Sequence, residues 1–233
     1  MCGIVGYAGN VRTACGKPLE VCLQGLQRLE YRGYDSAGVA LTAPGMDHVA
    51  VRKKAGRLAN LVQDIERDPM PEATVGIGHT RWATNGVPND INAHPHTSQD
   101  GKVAIIHNGI IENASQLRLD LQTEGYRFSS ETDTEVAAKL LGKISEKIVE
   151  ETGKPDLFKA VRRLARMLEG AFTILATDCR QPGIVVGARH DSPLVVGLGE
   201  GENFLGSDVA AFVAYTKRAM EIDQDQAVMV SAD

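Results

Sequence analysis

The apolar positions along the chain repeat with two periods, one typical of strands and one of helices. Apolar and polar residues alternate, with many β-branched side chains, in several short segments. In the first half of the chain this pattern predicts strands at residues 3–8, 38–43, 48–53, 74–79 and 102–107. In the last third it predicts strands at residues 171–177, 184–188, 194–197, 204–205 and 227–230.

Helical spacing predicts five helices, at residues 19–29, 57–67, 115–123, 134–149 and 156–168. Gly125 is expected to end the third helix, because glycine readily adopts the left-handed conformation that follows a helix. The strands come in groups and do not alternate regularly with the helices. This order favours largely antiparallel sheets with helices packed outside them, an α+β layered fold. We expect one domain over residues 2–233.

Composition narrows the classes of function. The chain has 233 residues, of which 43% are hydrophobic, enough for a full core. The net charge of −5 gives no basic field for nucleic acid. Without an apolar run of about 18–20 residues or a signal-like start, we expect no membrane association and a cytoplasmic location. The cysteines at positions 2, 15, 22 and 179 form no CxxC pair, so we expect neither zinc nor a redox site.

The start of the chain suggests a nucleophile. Removal of Met1 would leave Cys2 with a free α-amine, whose pKa of about 7.7–8.0 lies close to the thiol value of about 8.5. Moving the thiol proton to that amine costs only about 1 kcal/mol, so one residue can supply nucleophile and base. We expect a bridging water to carry the proton. A Met-Cys start alone indicates only the beginning of a buried strand. Whether Cys2 is a nucleophile therefore depends on other residues of the chain.

Two further residues suit attack on an amide. Asn108 and Gly109 follow an apolar strand, where the Asn108 side-chain amide and the Gly109 backbone N–H could stabilise a tetrahedral oxyanion. Asn-Gly is also the usual sequence of a tight hairpin turn, and both interpretations stay open.

A site for a free amino acid also needs groups that hold its α-carboxylate and α-ammonium. Arg81, beside Trp82, can grip a carboxylate with two parallel hydrogen bonds, and Asp133 can pair with an ammonium. The alternatives are that Arg81 is an exposed surface residue and that Asp133 only caps the helix that follows.

Six motifs together resemble one known family. They are CGIVG at residues 2–6, YRGYDSAG at 31–38, HTRWAT at 79–84, NAHPH at 92–96, HNGIIEN at 107–113 and SETDTE at 130–135. Their residues and order are similar to the glutaminase domain of the isomerizing glutamine–fructose-6-phosphate aminotransferases, the glucosamine-6-phosphate synthases. Amidotransferases for phosphoribosyl or aspartate acceptors are less similar at residues 32–38 and 110–113. The resemblance spans residues 2 to about 233. It implies a four-layer αββα fold of the N-terminal-nucleophile (Ntn) hydrolase type.

The resemblance also implies roles for single residues. Cys2 would attack the amide of glutamine, Asn108 and Gly109 would form the oxyanion hole, and Arg81 and Asp133 would bind the carboxylate and ammonium. Residues 81–88 resemble a loop that closes over glutamine, with Thr84 contacting it and Trp82 facing the exit route of ammonia.

The chain departs from the family's usual HTRWATHG at one position. It has Asn85 in place of the second histidine, so no ionisable role is carried over to that position. The spacing of His79, His94, His96 and His107 matches no zinc pattern, and we expect structural histidines, no metal and no cofactor.

What the chain does with ammonia depends on other domains. Family members carry sugar-isomerase domains after the glutaminase, and we expect these to be absent from this chain. In a full-length enzyme, expected to be a homo-oligomer, ammonia from L-glutamine would convert fructose 6-phosphate to glucosamine 6-phosphate in hexosamine biosynthesis. The alternatives are an amidotransferase with a different acceptor, or a glutamine-sensing module without catalysis.

Overall fold

The computed structural model describes residues 2–10, 18–83 and 86–233. In these ranges the strands are β1 (Gly3–Gly9), β2 (Ser36–Thr42), β3 (Ala50–Ala55), β4 (Val75–Arg81), β5 (His96–Thr97), β6 (Val103–Gly109), β7 (Phe172–Asp178), β8 (Val185–His190), β9 (Val195–Leu198), β10 (Glu202–Gly206), β11 (Ala219–Glu221) and β12 (Ala227–Val230). The α-helices are α1 (Pro18–Leu29), α2 (Leu58–Arg67), α3 (Ala114–Thr123), α4 (Asp133–Thr152) and α5 (Leu157–Ala165).

The strands form two antiparallel sheets. The larger has the order β11-β9-β10-β1-β4-β2-β3, and the smaller has the order β12-β8-β7-β6-β5. β1 lies inside the larger sheet, where it pairs with β10 on one side and with β4 on the other. β6 pairs with β5 and β7 in the smaller sheet. Residues Gly3–Gly9, which directly follow Cys2, are therefore held by neighbouring strands inside the sheet.

Three buried clusters separate four layers. The middle cluster joins the facing sides of the two sheets and includes Ile4, Ile77, Ile106 and Leu175. A second cluster packs α1 and α2 on the outer side of the larger sheet, and the third packs α3, α4 and α5 against the smaller sheet. The result is an αββα sandwich, the layer order that the family resemblance predicts.

The hydrophobic pattern located each of the five helices and most strands to within a few residues. The pattern missed β5 and β11, because strands of two and three residues are too short to show alternation. α4 is longer than predicted, since Gly153 ends it in the left-handed conformation at φ 77°. No helix in the described part of the chain is both long and apolar enough to cross a membrane.

Two of the cysteines away from the chain start are buried packing residues, as predicted. Cys22 lies inside α1, and burial raises the pKa of its thiol to about 12. The Cys179 thiol donates to the backbone oxygen of Asp47 at 3.3 Å. Cys15 lies outside the described residues.

Candidate active site

Four chain segments meet at one end of the sandwich. The start of β1 lies beside the end of β4, because Gly3 pairs with Thr80. The end of β6 in the opposite sheet and the first turn of α4 complete the group. A cavity of about 400 Å³ opens between them, which we call the Cys2 pocket. Its volume falls in the range of small-molecule sites, about 300–1,000 Å³.

The Cys2 thiol is half-buried at the edge of this pocket. Its Sγ accepts a hydrogen bond from the backbone N–H of Trp82 at 3.1 Å. Burial raises the pKa of the Cys2 thiol, against the opposing effect of the Trp82 hydrogen bond. The thiol is therefore neutral near pH 7 and needs a base before it can attack.

The oxyanion candidates lie directly beside Cys2. The Asn108 side chain donates from Nδ2 to the backbone oxygen of Cys2 at 2.9 Å. Because this nitrogen carries two hydrogens, one remains for a substrate oxygen. Gly109 has φ +116°, and a Cβ there would lie 2.0 Å from the oxygen of Ala171. Both residues pair with β7 at the end of β6, so the hairpin-turn interpretation of Asn-Gly is wrong.

Arg81 is the last residue of β4 and is only 4% exposed, so the surface interpretation is also wrong. Its Nη2 donates to the backbone oxygen of Gly86 at 3.2 Å. Trp82 is 52% exposed at the pocket mouth, and its ring meets that of Tyr34 edge-on at 5.8 Å. The adjacent residues Arg81 and Trp82 thus give the pocket a buried guanidinium and an indole ring exposed at its mouth.

The YRGYDSAG motif supports this segment. The backbone of Arg81 passes so close to Gly33 that a Cβ on Gly33 would lie 2.9 Å from the Arg81 carbonyl. Asp35 donates its backbone N–H to Arg81 O at 3.1 Å and accepts from the Ala83 N–H with its carboxylate. The motif therefore fixes the path of the chain through residues 81–83.

The helix cap and the acidic site residue are neighbours in the sequence. The N-cap of α4 is Thr132, whose side chain accepts from the Glu135 N–H at 3.2 Å. Asp133 is the next residue, and its carboxylate accepts from the backbone N–H of Ile111 at 3.0 Å. The capping interpretation therefore applies to Thr132, and the Asp133 carboxylate lines the pocket.

The charge of Asp133 is not neutralised by the imidazole beside it. His107 Nδ1 lies 3.8 Å from the Asp133 carboxylate. Burial lowers the pKa of His107, against the opposing effect of the Asp133 charge, and the ring is neutral at pH 7. The carboxylate can therefore attract a substrate ammonium.

The Cys2 pocket brings together Cys2, Arg81, Trp82, Asn108, Gly109 and Asp133. Thr84 and Asn85 lie outside the described residues, so the expected glutamine contact of Thr84 is not tested. Sequence reasoning missed several lining residues, namely Arg32, His94, His107, Ile110, Thr132, Ala171, Asp191, Ser192, Pro193 and Ser207. Arg32 lies within a quoted motif, where it binds Asp208 at 2.9 Å. The segment 191–193 carries only a turn signal.

The four histidines of the motifs are buried around the base of the pocket, which His94 and His107 line. His79, His94, His96 and His107 are all buried, and burial lowers the pKa of each. In the ranges that the structure describes, no group of three histidine, cysteine or acidic side chains is placed to hold a metal ion.

Sequence comparison matches the chain to one family model and to curated proteins that share a single name. The family model described as "Glutamine amidotransferase domain" matches residues 79–214. Curated proteins named glutamine–fructose-6-phosphate aminotransferase [isomerizing] are similar over the whole chain, with 56% identity in Leifsonia xyli subsp. xyli and 53% in Streptomyces coelicolor. The chain spans 36% of the length of each of these relatives.

Solved structures share the fold. The glutamine phosphoribosylpyrophosphate amidotransferase from B. subtilis, solved with ADP and GMP, matches with a TM-score of 0.77 and 25% identity over 99% of this chain and 47% of that one. A second structure, of the allosteric regulatory enzyme of purine biosynthesis, matches with a TM-score of 0.77 and 24% identity, over the same shares of the two chains. The predicted α+β sandwich of the N-terminal-nucleophile hydrolase type is thus confirmed.

Proposed function

We propose that this protein hydrolyses the side-chain amide of glutamine to glutamate and ammonia, with Cys2 as nucleophile. The chain belongs to the glutamine amidotransferase domain family. One observation carries this proposal: a single pocket holds a thiol, two oxyanion donors, a guanidinium and a carboxylate. These are the groups that attack on the amide of a free amino acid requires.

The α-amine of Cys2 is the base in this mechanism. The buried thiol has a raised pKa, and each unit of that increase adds about 1.4 kcal/mol to the cost of forming the thiolate. Among the described residues, Cys2 Sγ forms hydrogen bonds with the backbone of Trp82 and with no imidazole or carboxylate. An amine on the same residue, reached through a water, accepts the proton at the smallest cost.

The reaction then proceeds through two tetrahedral intermediates. The Cys2 sulfur bonds to the amide carbon, and the carbonyl oxygen becomes an oxyanion held by Asn108 Nδ2 and the Gly109 N–H. The C–N bond breaks, and the proton stored on the α-amine leaves with ammonia. Water attacks the resulting thioester, returns a proton to the sulfur and releases glutamate.

Arg81 and Asp133 hold the ends of the amino acid in this proposal. The buried Arg81 guanidinium offers a planar pair of N–H donors to the α-carboxylate. The Asp133 carboxylate pairs with the α-ammonium beside the neutral His107. Together the two side chains favour a free amino acid over a peptide, whose α-groups carry no charge.

The decisive experiment compares the protein with and without Met1. The two forms are prepared with and without methionine aminopeptidase treatment, and mass spectrometry gives the fraction that begins at Cys2. We expect the rate of glutamate formation to be proportional to that fraction, because only that form has a free amine beside the thiol. Equal rates from the two forms would contradict the amine as base.

Asp133→Asn is expected to raise the KM for glutamine by about 10- to 150-fold, because a hydrogen bond to a charged group contributes about 1.5–3 kcal/mol. The amide oxygen still accepts from the Ile111 N–H, so the fold should be kept. Steady-state kinetics and thermal unfolding measure the two effects.

The matched control is Asp156→Ala, which removes the side-chain cap of α5. This variant should lose about 0.5–2 kcal/mol of stability and keep its KM. If Asp133→Asn behaves in the same way, Asp133 is a structural residue and the ammonium binds elsewhere.

We further propose fructose 6-phosphate as the acceptor of the ammonia, as the names of the curated relatives suggest. The full-length gene product should then form glucosamine 6-phosphate from glutamine and fructose 6-phosphate. Another aminated product would favour a different acceptor. Glutamine binding without glutamate formation in the Met1-free protein would favour a sensor. A cytoplasmic location suits a reduced thiol nucleophile, and it stays a prediction, as does the homo-oligomer.

A further inference from the structure

The oxyanion residue Asn108 is hydrogen-bonded on both sides of its side-chain amide. Its Nδ2 donates to Cys2 O, as described above, and its Oδ1 lies 3.0 Å from Nε2 of His79. The same His79 nitrogen lies 2.9 Å from the backbone oxygen of His107. His79 is on β4 in one sheet and Asn108 on β6 in the other, so the contact crosses the interior of the sandwich.

This geometry determines where the hydrogen of His79 lies. The backbone oxygen of His107 can only accept, so Nε2 must be the protonated nitrogen. In the other tautomer the hydrogen would be on Nδ1, which has no hydrogen-bond partner in the described part of the chain. Nε2–H then faces Asn108 and requires its oxygen on that side. The Asn108 nitrogen is thereby turned toward Cys2.

We propose that His79 is a positioning residue that fixes the orientation of the Asn108 amide in the oxyanion hole. If the Asn108 side-chain amide were rotated by half a turn, its oxygen would face Cys2 and the developing oxyanion. The two oxygens would then repel each other, and the oxyanion would lose a hydrogen-bond donor. The inference rests on the proposed function, because it assigns a role in the same reaction. His79 itself touches no reacting atom.

The orientation does not depend on the charge of the His79 ring. Burial lowers the pKa of His79 to about 3, against the opposing effect of its hydrogen bonds to Asn108 and to the His107 backbone, and the positive charge of Arg81 lowers it further. The ring is neutral above that value. Protonation adds a hydrogen to Nδ1 and leaves Nε2–H in place, so His79 orients Asn108 without acting as an acid or base.

The test is a double-mutant cycle on glutamine hydrolysis with Met1 removed. His79→Leu should lower kcat by about 10-fold or more, by analogy with the outer-shell residues that orient metal ligands, and change KM little. Asn108→Ala should lower kcat by about 100- to 1,000-fold. In the Asn108→Ala background, His79→Leu should have less than about a twofold further effect, because its target is gone. His79→Gln places its side-chain N–H near the position of the His79 Nε2–H and should restore most of kcat.

Independent effects of the two substitutions would overturn the proposal, and so would a His79→Gln variant as slow as His79→Leu. If His79→Leu does not fold, ¹⁵N NMR of histidines in the unsubstituted protein decides. The His79 signal should show protonated Nε2 and bare Nδ1, and the reverse would refute the inference. An unsubstituted protein with no glutaminase activity would instead refute the proposed function, while the tautomer measurement would still stand.

Discussion

Cys2→Ala should reduce glutamine hydrolysis to background while the fold and glutamine binding persist. The substitution removes the sulfur that forms the thioester and leaves the α-amine, since alanine also permits removal of Met1. Cys2 is half-buried and precedes β1, so the loss of one small side chain should be tolerated. Glutamate release, thermal unfolding and calorimetric titration with glutamine measure the three properties.

Cys22→Ala is the matched control for this result. Its thiol is fully buried in α1, and the raised pKa keeps it protonated. This variant should lose stability, because the substitution leaves a small cavity, and keep its turnover. Turnover retained in Cys2→Ala, or lost in Cys22→Ala with the fold intact, would place the nucleophile elsewhere.

Gly109→Ala should impair both stability and turnover. The added Cβ would lie 2.0 Å from the Ala171 oxygen, and φ +116° is a conformation that side chains rarely adopt. Backbone strain of about 1–3 kcal/mol and overpacking of about 1–3 kcal/mol together predict a loss of about 2–6 kcal/mol. Any relief of the clash moves the Gly109 N–H away from the oxyanion and lowers kcat.

Gly125→Ala separates the two causes. Gly125 also has a positive φ, of 90°, but nothing lies within 4 Å of its hypothetical Cβ. We expect this variant to show only the backbone strain, about 1–3 kcal/mol, with unchanged kcat. Chemical denaturation and steady-state kinetics give both numbers. Equal losses of stability in Gly109→Ala and Gly125→Ala would mean that the close approach to Ala171 has no effect.

The sequence predicted the elements well because their signals are local. Alternation and helical spacing are set by neighbours in the chain, and the boundaries of β1 and α1 follow directly from them. The position of Asp133 was harder to interpret. Thr and Asp both cap helices, so the sequence could not tell which of residues 132 and 133 does so. Only the backbone path shows that Thr132 is the cap.

A different cause explains why the sequence did not identify some residues at the site. Arg32 binds Asp208 and the backbone oxygen of Ser207, and His79 binds Asn108 across the sheets. Such pairs lie far apart in the chain, and no spacing rule connects them. The motifs marked the segments that carry Arg32, His79 and Asn108, whereas Ser207 and residues 191–193 lie outside every motif.

The central place of β1 has a consequence for how reliably the thiol is positioned. Chain termini usually fray, and a nucleophile on a fraying end would spend much of its time away from its partners. Here Gly3 and Ile4 pair with β4, and from Val5 onward the strand is paired along both edges, to β10 and to β4. Releasing β1 requires two ladders to open at once, an event close to global unfolding. The position of Cys2 is thereby maintained by the cooperativity of the whole sheet.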